Sequence, residues 1–210
     1  MPKVVDHDQR RRELLEATAA VIAAEGIEAA TVRRIAREVG CTTGLVTHYF
    51  AEKDELVIGV LHQVHSASAE RMLAHGRQAS GLDALRMVLR EALPLTSSGQ
   101  REWHVWLSFW GVAWTSAALS AEHRDHYEAW RGLVHHLLRE AERLGQTRPG
   151  LNVRQATDRL VALVDGLGLQ ATYEPARLTR RRVMAMIDAQ LAEFAVPRSR
   201  PATKRAPVTA

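Results

Sequence analysis

Residues 31–53 read TVRRIAREVGCTTGLVTHYFAEK, and the spacing within this stretch decides the fold. Thr31 is placed to cap a short helix whose inward positions are Val32, Ile35, Ala36 and Val39, with Gly40 as its stop. Thr42 is placed to cap a second helix running to about Tyr49. Two short helices joined by a tight glycine turn make a helix-turn-helix, whose second helix can enter the major groove of B-DNA. At about 100° per residue, Val46 and Phe50 lie within about 40° of each other and point to the core. Gly44 and His48 are then opposite, with Leu45 and Thr47 on the flanks and Thr43 and Tyr49 at the edges.

That outward face suits DNA. Gly44 lets the helix approach closely, and Thr42 and Thr43 sit where free backbone N–H groups favour a phosphate. Leu45 and Thr47 can meet base edges or a thymine methyl, while His48 and Tyr49 can donate to phosphate or base. Arg33, in the first turn of the preceding helix, reaches toward a guanine or a phosphate, and Lys53 is placed as a phosphate clamp. Each residue also has a plain structural use: Thr31 and Thr42 would be good caps in any protein.

Outward from this stretch the pattern stays helical. Leu14, Leu15, Thr18, Val21 and Ile22 share one face of a helix over about 8–25, stopped by Gly26. A long helix starts near Lys53 and keeps its period to about His75. Further helices are expected at 82–94, 101–118 and 121–144, the last capped by Ser120, with Ser97-Ser98-Gly99 as a loop. Asn152, with Gln155 three residues on, starts a helix over 153–171, and the last spans about 180–195. No stretch alternates with period two, so the chain reads as all-α, with about nine helices. The expected division is a helix-turn-helix head at 1–52, a larger helical ligand-binding and dimerisation domain at 53–196, and a disordered basic tail at 197–210.

The chain has 210 residues and a net charge of +4, which hints at a polyanionic partner. Its distribution says otherwise: residues 1–56 carry 8 basic and 10 acidic side chains, residues 57–176 carry 12 of each, and residues 177–210 carry 8 basic and 2 acidic. The excess sits at the C-terminal end, so DNA binding has to be argued from local geometry. The single cysteine, Cys41, excludes an intramolecular disulfide and fits a reducing compartment. With no apolar leader and no apolar run of 18 residues, a cytoplasmic protein without membrane attachment is expected.

All five tryptophans fall between 103 and 130. Trp103, Trp106, Trp110 and Trp114 form a stripe on one helix, with Tyr127 and Trp130 on the next. Such a cluster can line a pocket for a flat, apolar or cationic ligand, because indole faces attract cations; the plain alternative is core or interface packing. His62/His65 and His123/His126 are spaced i, i+3, but without an HExxH pattern or a second cysteine neither metal nor cofactor is expected. Leu160, Leu163, Val164 and Leu167 line one helix face, and Met184, Ile187 and Leu191 line another. Two such helices from each subunit would make a four-helix dimer interface, with an intrachain core as the alternative.

The run Thr31-Val32-Arg33-x-Ile35-Ala36-x-x-Val39-Gly40, then Thr42-x-Gly44-x-Val46-x-x-Tyr49-Phe50-x-x-Lys53, resembles the DNA-binding head of the TetR family of transcriptional regulators, over about residues 8–60. Val46-Thr47-His48-Tyr49-Phe50 and Trp103-x-x-Trp106-x-x-Phe109-Trp110 are similar to the choline-responsive BetI branch. The chain departs from the family pattern at Thr47, where most members have Tyr, and at Ala51-Glu52, where a small or polar pair is usual. The resemblance implies a homodimer on a palindromic double-stranded DNA operator, acting as a repressor released by a small-molecule effector, and not an enzyme. The alternative from another class is an all-α enzyme or metal-binding bundle. That would need inward Glu and Glu-x-x-His sets, which these helices do not supply. A non-specific binder using the basic tail is a third reading.

Overall fold

The structure is a computed structural model that describes residues 7–197; the expected tail falls almost wholly outside them. Nine α-helices form among the described residues: α1 (His7–Glu25), α2 (Val32–Val39), α3 (Thr43–Tyr49), α4 (Lys53–Gln78), α5 (Gly81–Glu91), α6 (Ser97–Trp110), α7 (Ala117–Arg143), α8 (Val153–Tyr173) and α9 (Arg180–Phe194). A single 3-10 turn, Ile27–Ala29, joins α1 to α2.

The local chemistry of the head follows the expected lines. Thr31 Oγ1 accepts from Arg34 N at 3.2 Å and Thr42 Oγ1 from Leu45 N at 3.3 Å, so both hydroxyls satisfy otherwise orphaned helix-start donors. Gly40 ends α2 at φ 70°, the left-handed conformation that lets the chain reverse into α3. α1 buries Leu14, Leu15, Thr18, Val21 and Ile22, and the buried Thr18 hydroxyl donates to Leu14 O at 2.7 Å.

Two hydrophobic cores result. The first joins α1–α3 to Leu56, Val57, Val60 and Leu61 of α4, and takes in Val105 and Phe109 of α6, with Ala113 and Leu119 beyond it. The second lies among α5, α7, α8 and α9 and includes Trp103 from α6. α6 therefore has two working faces, with Val105 and Phe109 buried against the head and Trp103 against the larger core. Each large aliphatic or aromatic side chain sealed this way stabilises the fold by about 1.5–3 kcal/mol before entropy is counted.

Several expected helix boundaries move, and capping chemistry accounts for those of α6 and α7. Thr96 accepts from Gly99 N at 3.0 Å, so Ser97-Ser98-Gly99, read as a loop, is the first turn of α6. α6 stops at Trp110 instead of reaching 118, because Ser116 caps α7 by accepting from Leu119 N at 3.1 Å. Ser120, the expected cap, lies inside α7 and donates its hydroxyl to Ala113 O at 2.7 Å. α4 passes through the exposed Gly76 and runs on to Gln78.

The expected interface residues are also relocated. Leu160, Val164, Leu167, Ile187 and Leu191 are buried in the chain's own core, with Leu163 and Met184 half-buried against it. Their periodicity marks an inward face: the five buried side chains are not open to a second subunit, while Leu163 and Met184 keep part of their surface exposed. The open surface of α8 and α9 carries instead Leu169, Tyr173 and Met186, all exposed large apolar side chains.

Candidate functional site: a recognition face and an aromatic cavity

On the head, α3 presents Thr43, Gly44, Thr47 and His48 to solvent, with Thr42 just ahead of it. Leu45 and Tyr49 are half-buried at its edges. Val46 and Phe50 are buried, which fixes the rotation of the helix. Tyr49 Oη lies 3.0 Å from His7 Nδ1, so the start of α1 braces the phenol beside the recognition face. Arg33 is exposed and makes no ion pair with another described residue, whereas its neighbour Arg34 is held by Glu25 and Glu38, each at 2.7 Å. Lys53, read as a phosphate clamp, points to Glu28 with Nζ at 2.9 Å from the carboxylate. Both side chains are substantially exposed, so this pair is worth no more than about 1 kcal/mol and yields easily to a phosphate.

Below the head, α4, α6, α7 and α8 enclose a cavity of about 290 Å³. Trp103, Trp106, Trp110, Tyr127 and Trp130 all line it. Trp114 does not: α6 ends before it, and it stands 80 % exposed in the following turn with Nε1 donating to Gly111 O at 3.1 Å. Trp106 stacks on His126 with ring centroids 4.1 Å apart, Trp103 meets Trp110 edge-on at 5.8 Å, and Trp110 lies 6.3 Å from Tyr127.

Trp103 is fixed from two sides. Its Nε1 donates to Ala92 O at 2.9 Å, and its ring lies against Gly168 of α8. A Cβ at Gly168 would overlap Cζ2 and Cη2 of the indole and come within 2.5 Å of Cε2.

Acids enter from three helices, Glu91 of α5, Glu102 of α6 and Asp165 of α8. Asp165 on α8 accepts the Tyr127 hydroxyl at 2.9 Å. Burial pushes the Asp165 carboxyl above the usual carboxylate range, with the Tyr127 hydrogen bond and Arg131 pulling the other way, and burial pushes the Tyr127 phenol up as well. Glu102 on α6, also raised by burial, is bridged to Arg71 at 2.8 Å, and Arg71 binds Glu91 too. His126 is driven down to about 4, chiefly by burial and further by His65 and His123. Trp110 Nε1 and His126 Nδ1 are buried without a hydrogen-bond partner among the described residues. Unsatisfied polar atoms gathered around one cavity mark it as a place where packing is not optimised for stability alone.

Sequence does not identify Glu102 or Asp165, and it marks His65 and His126 only as members of i, i+3 pairs, not as cavity residues. The available signal was weak: Glu102 precedes Trp106 by one helical turn, and Asp165 is an acid interrupting an apolar helix face. No group of three His, Cys, Asp or Glu side chains among the described residues is arranged to hold a metal ion.

Two family models match separate parts of the chain. Residues 14–60 match the family described as bacterial regulatory proteins, tetR family, and residues 81–196 match that described as BetI-type transcriptional repressor, C-terminal. The chain is 32% identical over 209 residues, 99% of its own length and 100% of the other's, to the HTH-type transcriptional regulator PksA of Bacillus subtilis. It is 29% identical to the HTH-type transcriptional regulator BetI of Escherichia coli K12, covering 89% of this chain and 94% of that one. Among solved structures, a transcriptional regulator from Rhodococcus sp. Rha1 superposes with a TM-score of 0.79 at 28% identity, over 89% of this chain and 99% of that one. A putative regulator from Saccharomonospora viridis, solved in complex with choline, superposes with a TM-score of 0.85 at 22% identity, over 91% and 100%.

Proposed function

The chain belongs to the TetR family of bacterial transcriptional regulators, and on that footing we propose that it is a cytoplasmic homodimeric repressor released from a palindromic operator by a small organic cation. The observation that carries the ligand class is the cavity: Trp103, Trp106, Trp110, Trp130 and Tyr127 line it together with the acids Asp165 and Glu102. Aromatic faces attract a cation, by about 2 kcal/mol or more when desolvated, and an adjacent carboxylate supplies the counter-charge. His126, held neutral at physiological pH by burial, does not oppose a cation in the same space.

The recognition face of α3 supplies base contacts and Arg33 a phosphate or guanine contact. The exposed apolar residues of α8 and α9 supply the dimer contact that pairs two heads on one operator. α6 supports the coupling between sites. A ligand pressing on Trp106 and Trp110 acts on the helix whose other face, Val105 and Phe109, is packed into the head. Only a differential affinity for two arrangements of that packing can move the heads, and typical couplings are roughly 1–3 kcal/mol.

The test is a gel-shift titration on DNA flanking the protein's own gene, at fixed moderate salt, with choline or tetramethylammonium added. Release by these cations and not by the neutral isostere 3,3-dimethylbutan-1-ol is the expected result. An operator complex indifferent to every cation, or released equally by the neutral compound, overturns the ligand assignment.

A further inference from the structure

The cavity is asymmetric in depth and in chemistry. Its inner wall combines Trp103 and Val164, both buried, with Asp165, while its outer wall is aliphatic. Ala69, Met72 and Leu73 come from α4, and Ala129 and Leu133 from the facing stretch of α7. Leu73 is 56 % exposed and Ala129 is exposed as well, so the mouth opens between these two helices on an apolar rim. Exposed large apolar side chains at the rim of a concave site mark surface that a ligand covers. The cavity of about 290 Å³ also approaches the range of pockets that enclose drug-sized ligands, from roughly 300 Å³ upward, well beyond a compact ammonium head.

We infer that the effector is an amphipathic cation: an ammonium head on the aromatic and acidic inner wall, and an aliphatic chain running outward over Met72, Leu133 and Leu73. This rests on the cation reading above and adds a tail to it. A compact head alone leaves the aliphatic wall and the mouth uncovered. A neutral lipid leaves Asp165, whose hydrogen-bond partner is the Tyr127 hydroxyl and which makes no ion pair among the described residues, without a counter-charge. A tail laid along α4 contacts the helix that also carries Leu56, Val57, Val60 and Leu61 of the head's core, so the tail has a direct route to the recognition helices.

The experiment follows intrinsic tryptophan fluorescence, confirmed by calorimetry, with tetramethylammonium, butyl-, hexyl- and octyltrimethylammonium added below their micelle thresholds to the full chain. Affinity is expected to rise about fourfold for each methylene that becomes buried, and to level off once the chain passes Leu73. Leu73→Gln, a change at an exposed position that leaves the core intact, is expected to flatten that rise while tetramethylammonium affinity stays the same. Equal affinity along the series overturns the tail and leaves the cation reading standing. A series in which the neutral alcohols of the same length bind as tightly overturns the cation reading, and the inference with it. A steep rise that Leu73→Gln does not alter overturns the assigned path of the chain.

Discussion

Replacing Gly168 by alanine is the sharpest perturbation of the cavity, because the added methyl has nowhere to go but into Trp103. The new Cβ would overlap Cζ2 and Cη2 and lie 2.5 Å from Cε2 of the indole. Carbon contacts are optimal at roughly 3.5–4.0 Å, so the ring must retreat by about 1.5–2 Å. α8 cannot recede easily, since Val164, Leu167 and Ala171 on the same face are locked in the core. The ring therefore moves toward the cavity and away from Ala92 O, the acceptor of its 2.9 Å hydrogen bond. Overpacking costs about 1–3 kcal/mol and a weakened buried N–H bond about 1 kcal/mol, while alanine gains up to about 1 kcal/mol over glycine within a helix.

The net loss is on the order of 1–3 kcal/mol, a fall of roughly 3–10 °C in Tm for a chain of this size. Because the displaced ring occupies space assigned to the cation, tetramethylammonium affinity should fall by about tenfold, which corresponds to roughly 1.4 kcal/mol. Gly132→Ala on α7 is the matched control. Nothing lies within 4 Å of its added Cβ, so stability should rise slightly with binding unchanged. Thermal melting followed by circular dichroism and tryptophan fluorescence titration read both quantities. If Gly168→Ala melts with the parent and binds the cation equally well, Trp103 is not a fixed wall and the close approach to α8 has no role in shaping the site.

Stability should also depend on His126. Its folded pKa of about 4 lies below the ordinary 6.5, so between those values the unfolded chain takes up a proton that the folded chain refuses. Its contribution is complete above pH 6.5 and is lost as pH falls toward 4, by on the order of 3 kcal/mol in all. The raised Asp165 and Glu102 carboxyls act in the opposite sense near the acidic end. The fall in Tm from pH 7.5 to 5 should therefore be shallower in His126→Phe, which keeps a ring against Trp106, and an identical slope would place the titrating group elsewhere. On the head, Arg33→Ala should weaken operator binding by about 1–3 kcal/mol and lower its salt dependence by about one phosphate contact; unchanged affinity at moderate salt would remove Arg33 from the interface. Glu28→Gln, which frees Lys53 from its 2.9 Å partner, should strengthen operator binding by no more than about fivefold, the equivalent of the roughly 1 kcal/mol an exposed pair is worth. Weaker binding in that variant would show that Lys53 needs Glu28 to hold its position.

What could be read from sequence and what could not divides along the reach of the physics. The head was legible because Thr31, Gly40 and Thr42 act over three or four residues, and a cap or a left-handed stop is a local event. The stripe Trp103, Trp106 and Trp110 was legible for the same reason, as i, i+3 and i+4 neighbours on one helix. Trp114 was misplaced because Ser116 and Ser120 are both acceptable caps. The choice between them is made by Ala113 and Leu119 packing into the head's core, far along the chain from where the choice is read. Leu160, Val164 and Ile187 show the same limit, since a period identifies a buried face without saying whose residues bury it. Asp165 and His126 go further: each is an ordinary polar residue until α4, α6, α7 and α8 converge and remove its water. That convergence joins the two halves of the molecule, since Trp106 and Trp110 line the cavity while Val105 and Phe109 of the same helix lie in the head's core. With one face on the cavity and the other in the head's core, a shift of α6 at the cavity falls first on α1, the helix it packs against in the head.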